Sequence, residues 1–226
     1  SAFPVYSMGL SVLGHVLLIL SLERLDAPIR SGGFIHNLKR FYPSVLGMLL
    51  LMICFFIFPT NFSAVCVRMT NLDPIAVTII MVALDVVAAL VGLVFGGMMR
   101  WFRLSVKYFS PMFFLLGYLC FALSQSLPSL LAGCLFIGIA TGIGVPYLNT
   151  IASIKAGQDA VTTVMPLLSA ALYAGQFLSP LVATPLAAKF FPDNLSGIYW
   201  IACAFSVLFL LEAFATRRFQ SLPPKE

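Results

Sequence analysis

The sequence predicts an all-α integral membrane protein, a polytopic helix bundle, and three observations carry that reading. Of 226 residues, 61% are hydrophobic and only 9% are charged, with a mean hydropathy of +1.03. Soluble domains carry about 25% charged and 45–50% apolar residues. The apolar residues also come in continuous runs long enough to cross about 30 Å of hydrocarbon, which takes roughly 20 helical residues. Finally, nearly all Lys and Arg residues fall in alternate connections between those runs. Backbone groups in lipid must be satisfied internally, so spans are helices or closed barrels. Barrel strands alternate polar and apolar residues over about 10 positions, a pattern these runs lack. Disorder is excluded by the hydrophobicity, a disulfide scaffold by five scattered cysteines, and a collagen-like chain by 16 Gly and 14 Pro without period.

Seven runs follow in order, at about 2–22, 42–65, 75–99, 104–125, 128–151, 161–188 and 194–215. The first lacks a positive n-region and a small-residue cleavage site, so it reads as a span and not a signal peptide. The chain begins with Ser1 and not Met, which fits an excised or processed fragment. A polar, basic stretch, 23–41, separates the first run from the second and contains Asp26-Ala-Pro28 and Ser31-Gly-Gly33. Later breaks fall at Asn71-Leu-Asp73-Pro74, Ser126-Leu-Pro128, Ala156-Gly-Gln-Asp159 and Pro192-Asp-Asn194, each with turn chemistry. Residues 42–215 thus form a six-helix bundle, followed by a tail at 216–226. No soluble domain fits between the runs.

The positive-inside rule sets the orientation. One side carries Arg24, Arg30, Lys39, Arg40, Arg100, Arg103, Lys107, Lys155, Arg217, Arg218 and Lys225; the other carries only Arg68 and Lys189. This places the C-terminus in the cytoplasm and the N-terminus outside, in a multi-pass plasma or inner membrane protein. The net charge of +5 is therefore an orientation signal and predicts no nucleic-acid partner. Tyr42, Trp101, Tyr108 and Trp200 sit near span ends, as interfacial aromatics do.

Asp85 is the sharpest single residue. A carboxylate near the bilayer centre costs roughly 2.5–3.5 kcal/mol on insertion scales, so it seldom faces lipid. Thr78, Asp85, Gly92 and Gly96, with Ala88 and Ala89 between, form a small-and-polar stripe at helical spacing, which predicts an interior face. Asp85 then serves either as a proton-coupling or cation-binding carboxylate, or as a hydrogen-bonded residue joining two helices. His15 and Glu212 fit packing and snorkelling respectively, with Glu212 near headgroups or Arg217 and Arg218.

The fifth run holds Gly133, Gly138, Gly142 and Gly144, then Pro146 and Asn149. Small residues allow close helix approach, and glycine with proline allows bending. These residues read as packing, or as a gating helix with Asn149 as a ligand contact. The sixth run sets Ser169, Tyr173, Gln176 and Pro180 at helical spacing, with Gly175 and Ser179 as a close-packing pair. Tyr173 and Gln176 either line a cavity or bridge helices. In the second run Pro59 and Asn61 interrupt an aromatic stretch, as the broken helices of transporters do at binding sites. Asn61-Phe-Ser63 and Asn194-Leu-Ser196 fit the glycosylation pattern, which near a membrane is usually coincidental.

Cys54, Cys66, Cys120, Cys134 and Cys203 have no ligand spacing, so neither a metal nor another cofactor is expected. Nucleophile elbows, phosphate loops and paired acids are missing from the sequence, and the chain does not read as an enzyme. An aspartyl intramembrane protease needs two carboxylates, and no second mid-span acid accompanies Asp85.

The run Gly138-Ile-Ala-Thr-Gly142-Ile-Gly144-Val-Pro146-Tyr-Leu-Asn149 resembles the tenth helix of the major facilitator superfamily. Ala174-Gly175-Gln176-Phe177-Leu178-Ser179-Pro180-Leu181 resembles its eleventh, particularly in efflux-type members. The resemblance extends over the whole chain: 2–22 matches helix six, 23–41 the linker between halves, and the other spans helices seven to twelve. It implies secondary active transport of a small molecule by alternating access, with Asn61 and Asn149 in cavity-lining helices and Asp85 a coupling candidate. It also implies a missing partner, the N-terminal six-helix half or a second copy, without which the chain does not transport. The loop Gly96-Gly-Met-Met-Arg100-Trp-Phe-Arg103 keeps the basic residues of a family motif but not its acid, leaving Arg100 and Arg103 to latch the cytoplasmic side.

Seven spans with the N-terminus outside also match a receptor or sensor. Neither an Asp/Glu-Arg-Tyr sequence after the third span nor an Asn-Pro-x-x-Tyr in the seventh supports that alternative. Substrate, direction and coupling ion are not encoded in any motif.

Overall fold

Apolar composition drives the chain into helices, because a helix alone satisfies every backbone group within its own segment. The computed structural model describes residues 31–70, 73–102, 105–124, 126–192 and 194–217, and the side chains of all but 31–35, 68–70 and 159. The run at 2–22 and residues 23–30 of the linker lie outside the described residues. The helices are α1 (Ser31–Thr70), α2 (Pro74–Phe102), α3 (Val106–Leu123), α4 (Leu127–Gln158), α5 (Ala160–Phe190) and α6 (Gly197–Ala215). All six are long and apolar enough to cross a membrane, α1 through its stretch His36–Val67. The protein is a multi-pass helical membrane protein.

Local chemistry explains the boundaries. Proline supplies the first or second position of α2 and α4, where its missing N–H leaves no helical bond unmade. At the end of α4, one residue before its last, Gly157 adopts φ 62° and ψ −169°, a conformation open to glycine and strained for any residue with a Cβ. Two boundaries differ from expectation. The helix α1 begins at Ser31, so the Gly32-Gly33 pair does not break it and residues 31–41 are helical and not an extended linker. It also continues unbroken through Pro59. Next to that proline, Thr60 Oγ1 donates to the Phe56 carbonyl at 2.7 Å, and Asn61 Nδ2 donates to the Ile57 carbonyl at 2.9 Å. These side chains put extra donors on the turn where proline removes one.

All packing described here lies within Asn37–Glu226. Lipid tails are as apolar as leucine, so helices associate through close van der Waals fit and a few hydrogen bonds. Two crossings are especially tight. A Cβ on Gly138 would lie 2.9 Å from the Leu84 carbonyl oxygen, and one on Gly142 would lie 2.5 Å from that of Ala88. There α2 and α4 touch backbone to backbone and run parallel. At the second crossing a Cβ on Gly175 would lie 2.7 Å from the Leu49 carbonyl oxygen, and Ser179 Oγ donates to the Ile53 carbonyl at 3.0 Å. So α5 lies parallel on α1, docked by the small-residue pair seen in the sequence.

The remaining contacts complete the bundle. Helices α1 and α4 are antiparallel, with Gly47 beside Leu148 and Leu51 beside Gly144. Helices α3 and α6 are also antiparallel, with Tyr118 stacked on Tyr199 and Tyr108 on Phe214. Phe58 and Phe62 of α1 meet Phe121 of α3 at 5.8 and 5.5 Å between ring centres, and the buried Tyr118 hydroxyl donates to the Cys54 carbonyl. One layer therefore runs α2–α4–α1–α5, backed by α3 and α6. Exchanging the triplet α1–α3 with α4–α6 leaves these pairings unchanged: in each triplet the second helix lies on the first helix of the other.

Gly142→Ala is expected to force α2 and α4 apart and lower unfolding stability by about 1–3 kcal/mol, the usual penalty of overpacking. Gly96→Ala, where a Cβ meets nothing within 4 Å, is expected to leave stability unchanged or raise it by up to about 1 kcal/mol, the helix preference of alanine over glycine. Reversible unfolding in mixed micelles measures both, and equal effects at the two glycines would refute the crossing as the source of stability.

Candidate functional site

The residues singled out from the sequence separate onto two surfaces and a buried interior. On α2 the expected polar stripe splits. Leu84 is buried and Ala88 and Gly92 are half-buried toward α4, whereas Thr78, Asp85 and Gly96 are exposed. Asp85 thus faces away from the six-helix bundle, not into it. The reason is angular: the close approach of Gly138 and Gly142 draws in Leu84 and Ala88, and Asp85 lies one step round the helix from Leu84. Its flanking residues Val82 and Val86 are 56% and 53% exposed. Little of α2 is covered by the other described residues.

On α5, Tyr173 and Phe177 are each 68% exposed and Gln176 is also exposed, while Gly175 and Ser179 are buried against α1. Tyr173 and Gln176 accordingly do not bridge helices within the described bundle. Pro180 is half-buried in a continuous helix. Asn149 is half-buried on α4, one turn beyond Pro146, which also leaves its helix unbroken. Asn61 has its amide nitrogen committed to the Ile57 carbonyl and to Thr60 Oγ1, and its side chain borders a groove with Thr184 and Asn194 at the far end of the bundle. Arg100 is exposed in the last turn of α2. Arg103 lies outside the described residues. Gly138, Gly142, Gly144 and Gly175 all sit at interhelical contacts.

The interior holds a cluster that sequence reasoning missed. Glu212 is 7% exposed, as is Lys107, and Ser110 is 3% exposed. Glu212 therefore does not snorkel. Thr216 Oγ1 lies 2.8 Å from the Glu212 carbonyl oxygen and 3.0 Å from Oε1, its one proton shared between them. Lys107 is within electrostatic reach of the carboxylate, and its Nζ donates to the Arg217 carbonyl at 3.3 Å. Lys107 Nζ also stands 4.8 Å from the centre of the Tyr108 ring, a cation–π distance. Tyr147 of α4 closes the group. The available signal in the sequence was the pair Glu212 and Thr216, spaced i, i+4 on one helix face. What it could not convey is that α3 brings Lys107 and Ser110 to the same place. Among the described residues no group of three or more His, Cys, Asp or Glu side chains is placed to hold a metal.

Removing one member of a buried polar set strands the others. Lys107→Met and Glu212→Leu are each expected to destabilise the bundle by about 1–3 kcal/mol. The double variant should fall short of their sum by about 0.5–3 kcal/mol. Unfolding in micelles across the four proteins gives the cycle, and strict additivity would show that the two side chains act separately.

No family model, no curated protein and no solved structure matches the chain. Its own geometry is therefore what bears on function: a carboxylate on an uncovered membrane-spanning face, and a second one buried among polar groups.

Proposed function

We propose that the chain is part of a secondary active transporter of the major facilitator type, contributing one wall of a cavity that moves a small molecule by alternating access. The observation that carries this reading is the exposure of Asp85 midway along α2. A mid-membrane carboxylate facing lipid costs roughly 2.5–3.5 kcal/mol, so that face calls for a protein or aqueous neighbour. A second six-helix bundle, from preceding sequence or from another copy, supplies one. The exchange of triplets in the packing supports the same reading, since nested three-helix repeats are how such halves are built.

In this reading Asp85 couples proton movement to substrate movement. Asn149, Tyr173 and Gln176 contact substrate, while Gly138, Gly142, Gly144, Pro146, Gly175 and Pro180 let α4 and α5 tilt or bend. Arg100 and Arg103 latch the cytoplasmic side. The orientation follows the charge asymmetry, with the C-terminus in the cytoplasm of a plasma or inner membrane. Asn61 is the weakest member of the set, because its amide already serves the backbone beside Pro59.

Proteoliposomes provide the test, with an internal pH dye reporting proton movement on addition of a panel of lipophilic cations. The chain alone is expected to give no flux. The chain with its partner bundle should give flux that Asp85→Asn abolishes while leaving binding of the cation intact. Robust flux by the chain alone would sink the half-transporter reading.

A further inference from the structure

The buried cluster on α3, α4 and α6 has a feature that packing alone does not require. Ser110 Oγ is buried and has no hydrogen-bond partner among the described residues. Leaving a buried hydroxyl unpaired forfeits its hydration with nothing in return. It borders a cavity of about 10 Å³ enclosed by Lys107, Ser110, Gly144, Tyr147, Phe209 and Glu212. That is about the smallest space that admits one water, and a water needs two to four polar partners. The residues that line it carry two hydroxyls, an ammonium and a carboxyl group. Glycine at 144 keeps the space open, because a Cβ there would collide with Ser110 Oγ and the Leu51 side chain.

We infer that this cavity is a proton-loading site, in which Glu212 exchanges a proton through a single water held by Ser110 and Tyr147. The geometry provides for both states of the carboxyl group. As a carboxylate, Glu212 has the Lys107 ammonium within electrostatic reach and the Thr216 hydroxyl 3.0 Å from Oε1. As a carboxylic acid, it donates its new O–H to the water. Loading consumes one proton from bulk solvent. The water passes a proton to the carboxylate oxygen and regains one from the solvent side, so one O–H bond forms on Glu212 and no other group changes.

The charged and titratable groups facing the site are Lys107 and Tyr108 from α3, Tyr147 from α4, and Arg217 just after α6 through its carbonyl. Helix α1 approaches with Gly47, whose added Cβ would lie 3.4 Å from Glu212 Oε2. Protonation removes the negative charge that α6 presents to Lys107 on α3, and so weakens the electrostatic tie between the ends of those two helices. Asp85 belongs to a different surface, and the site stands whether or not the chain transports anything.

Infrared difference spectroscopy of the whole chain in lipid, stepped through pH in H2O and D2O, tests the site. The expected result is a protonated-carboxyl C=O band that appears as pH falls and shifts in D2O. One component of that band should be missing in Glu212→Gln and present in Asp85→Asn. In Ser110→Ala, which adds no bulk, it should move to higher wavenumber as the water loses an anchor. A band that loses no component in Glu212→Gln, or the absence of that component from wild type at every pH, overturns the proposal. So does an unshifted band in Ser110→Ala, because the water-held site is then not there. Circular dichroism confirms that each variant keeps its helices, and the spectra do not depend on transport.

Discussion

The bundle depends on two places where helix backbones touch. In lipid, apolar side chains gain little by leaving a hydrocarbon solvent for each other, so a bundle cannot be held by hydrophobicity alone. What remains is close fit, and glycine permits the closest. At Gly138 and Gly142 the backbone of α4 lies against carbonyls of α2; at Gly175 that of α5 lies against a carbonyl of α1. These two parallel crossings fix the outer helices on the central antiparallel pair, α1 and α4. The aromatic set around Tyr118, Phe121 and Tyr199 then seals α3 and α6 behind them.

That constraint also decides what each polar residue faces. A helix pinned along one edge must present its other edge outward. Pinning α2 through Leu84 and Ala88 turns Asp85 out, and pinning α5 through Gly175 and Ser179 turns out Tyr173, Gln176 and Phe177. Both outward edges carry polar groups that lipid does not welcome, which is why the uncovered faces, and not any pocket, motivate the proposed role. The interior solves the converse problem at one end of the bundle. There Lys107, Glu212, Thr216 and Tyr147 keep one another's company, since no buried charge is tolerable without partners.

How much of this was legible varied with the range of the interaction. The span at 75–99 was plain from hydropathy, and the structure extends it only to Pro74–Phe102. The Gly175 and Ser179 pair was legible because i, i+4 spacing puts both on one face. The start of α1 was not, because Gly32-Gly33 has the look of a turn while the helix runs through it. Asp85 shows the limit of stripe reasoning: Thr78, Asp85, Gly92 and Gly96 share a spacing, yet one close crossing takes Ala88 and Gly92 and leaves Asp85, Thr78 and Gly96 outside. Glu212 shows the complementary limit. A late acid in a span looks like a snorkelling residue until another helix is known to cover it.

The sequence by itself determined the class of solvent, the number of the described spans, the breaks between them and the sites of closest approach. Each follows from one segment's composition, its 3.6-residue period or the conformational freedom of one glycine. Only the tertiary structure decided which face of each helix is inside, that α2 lies on α4 and α5 on α1, and that Lys107 and Ser110 meet Glu212. Those outcomes depend on which helix a residue meets, and contacts between positions as distant as 107 and 212 leave no period in the chain. The physical reason is that a membrane removes the hydrophobic signal that marks an inner face in water, leaving local fit between particular helices to choose it.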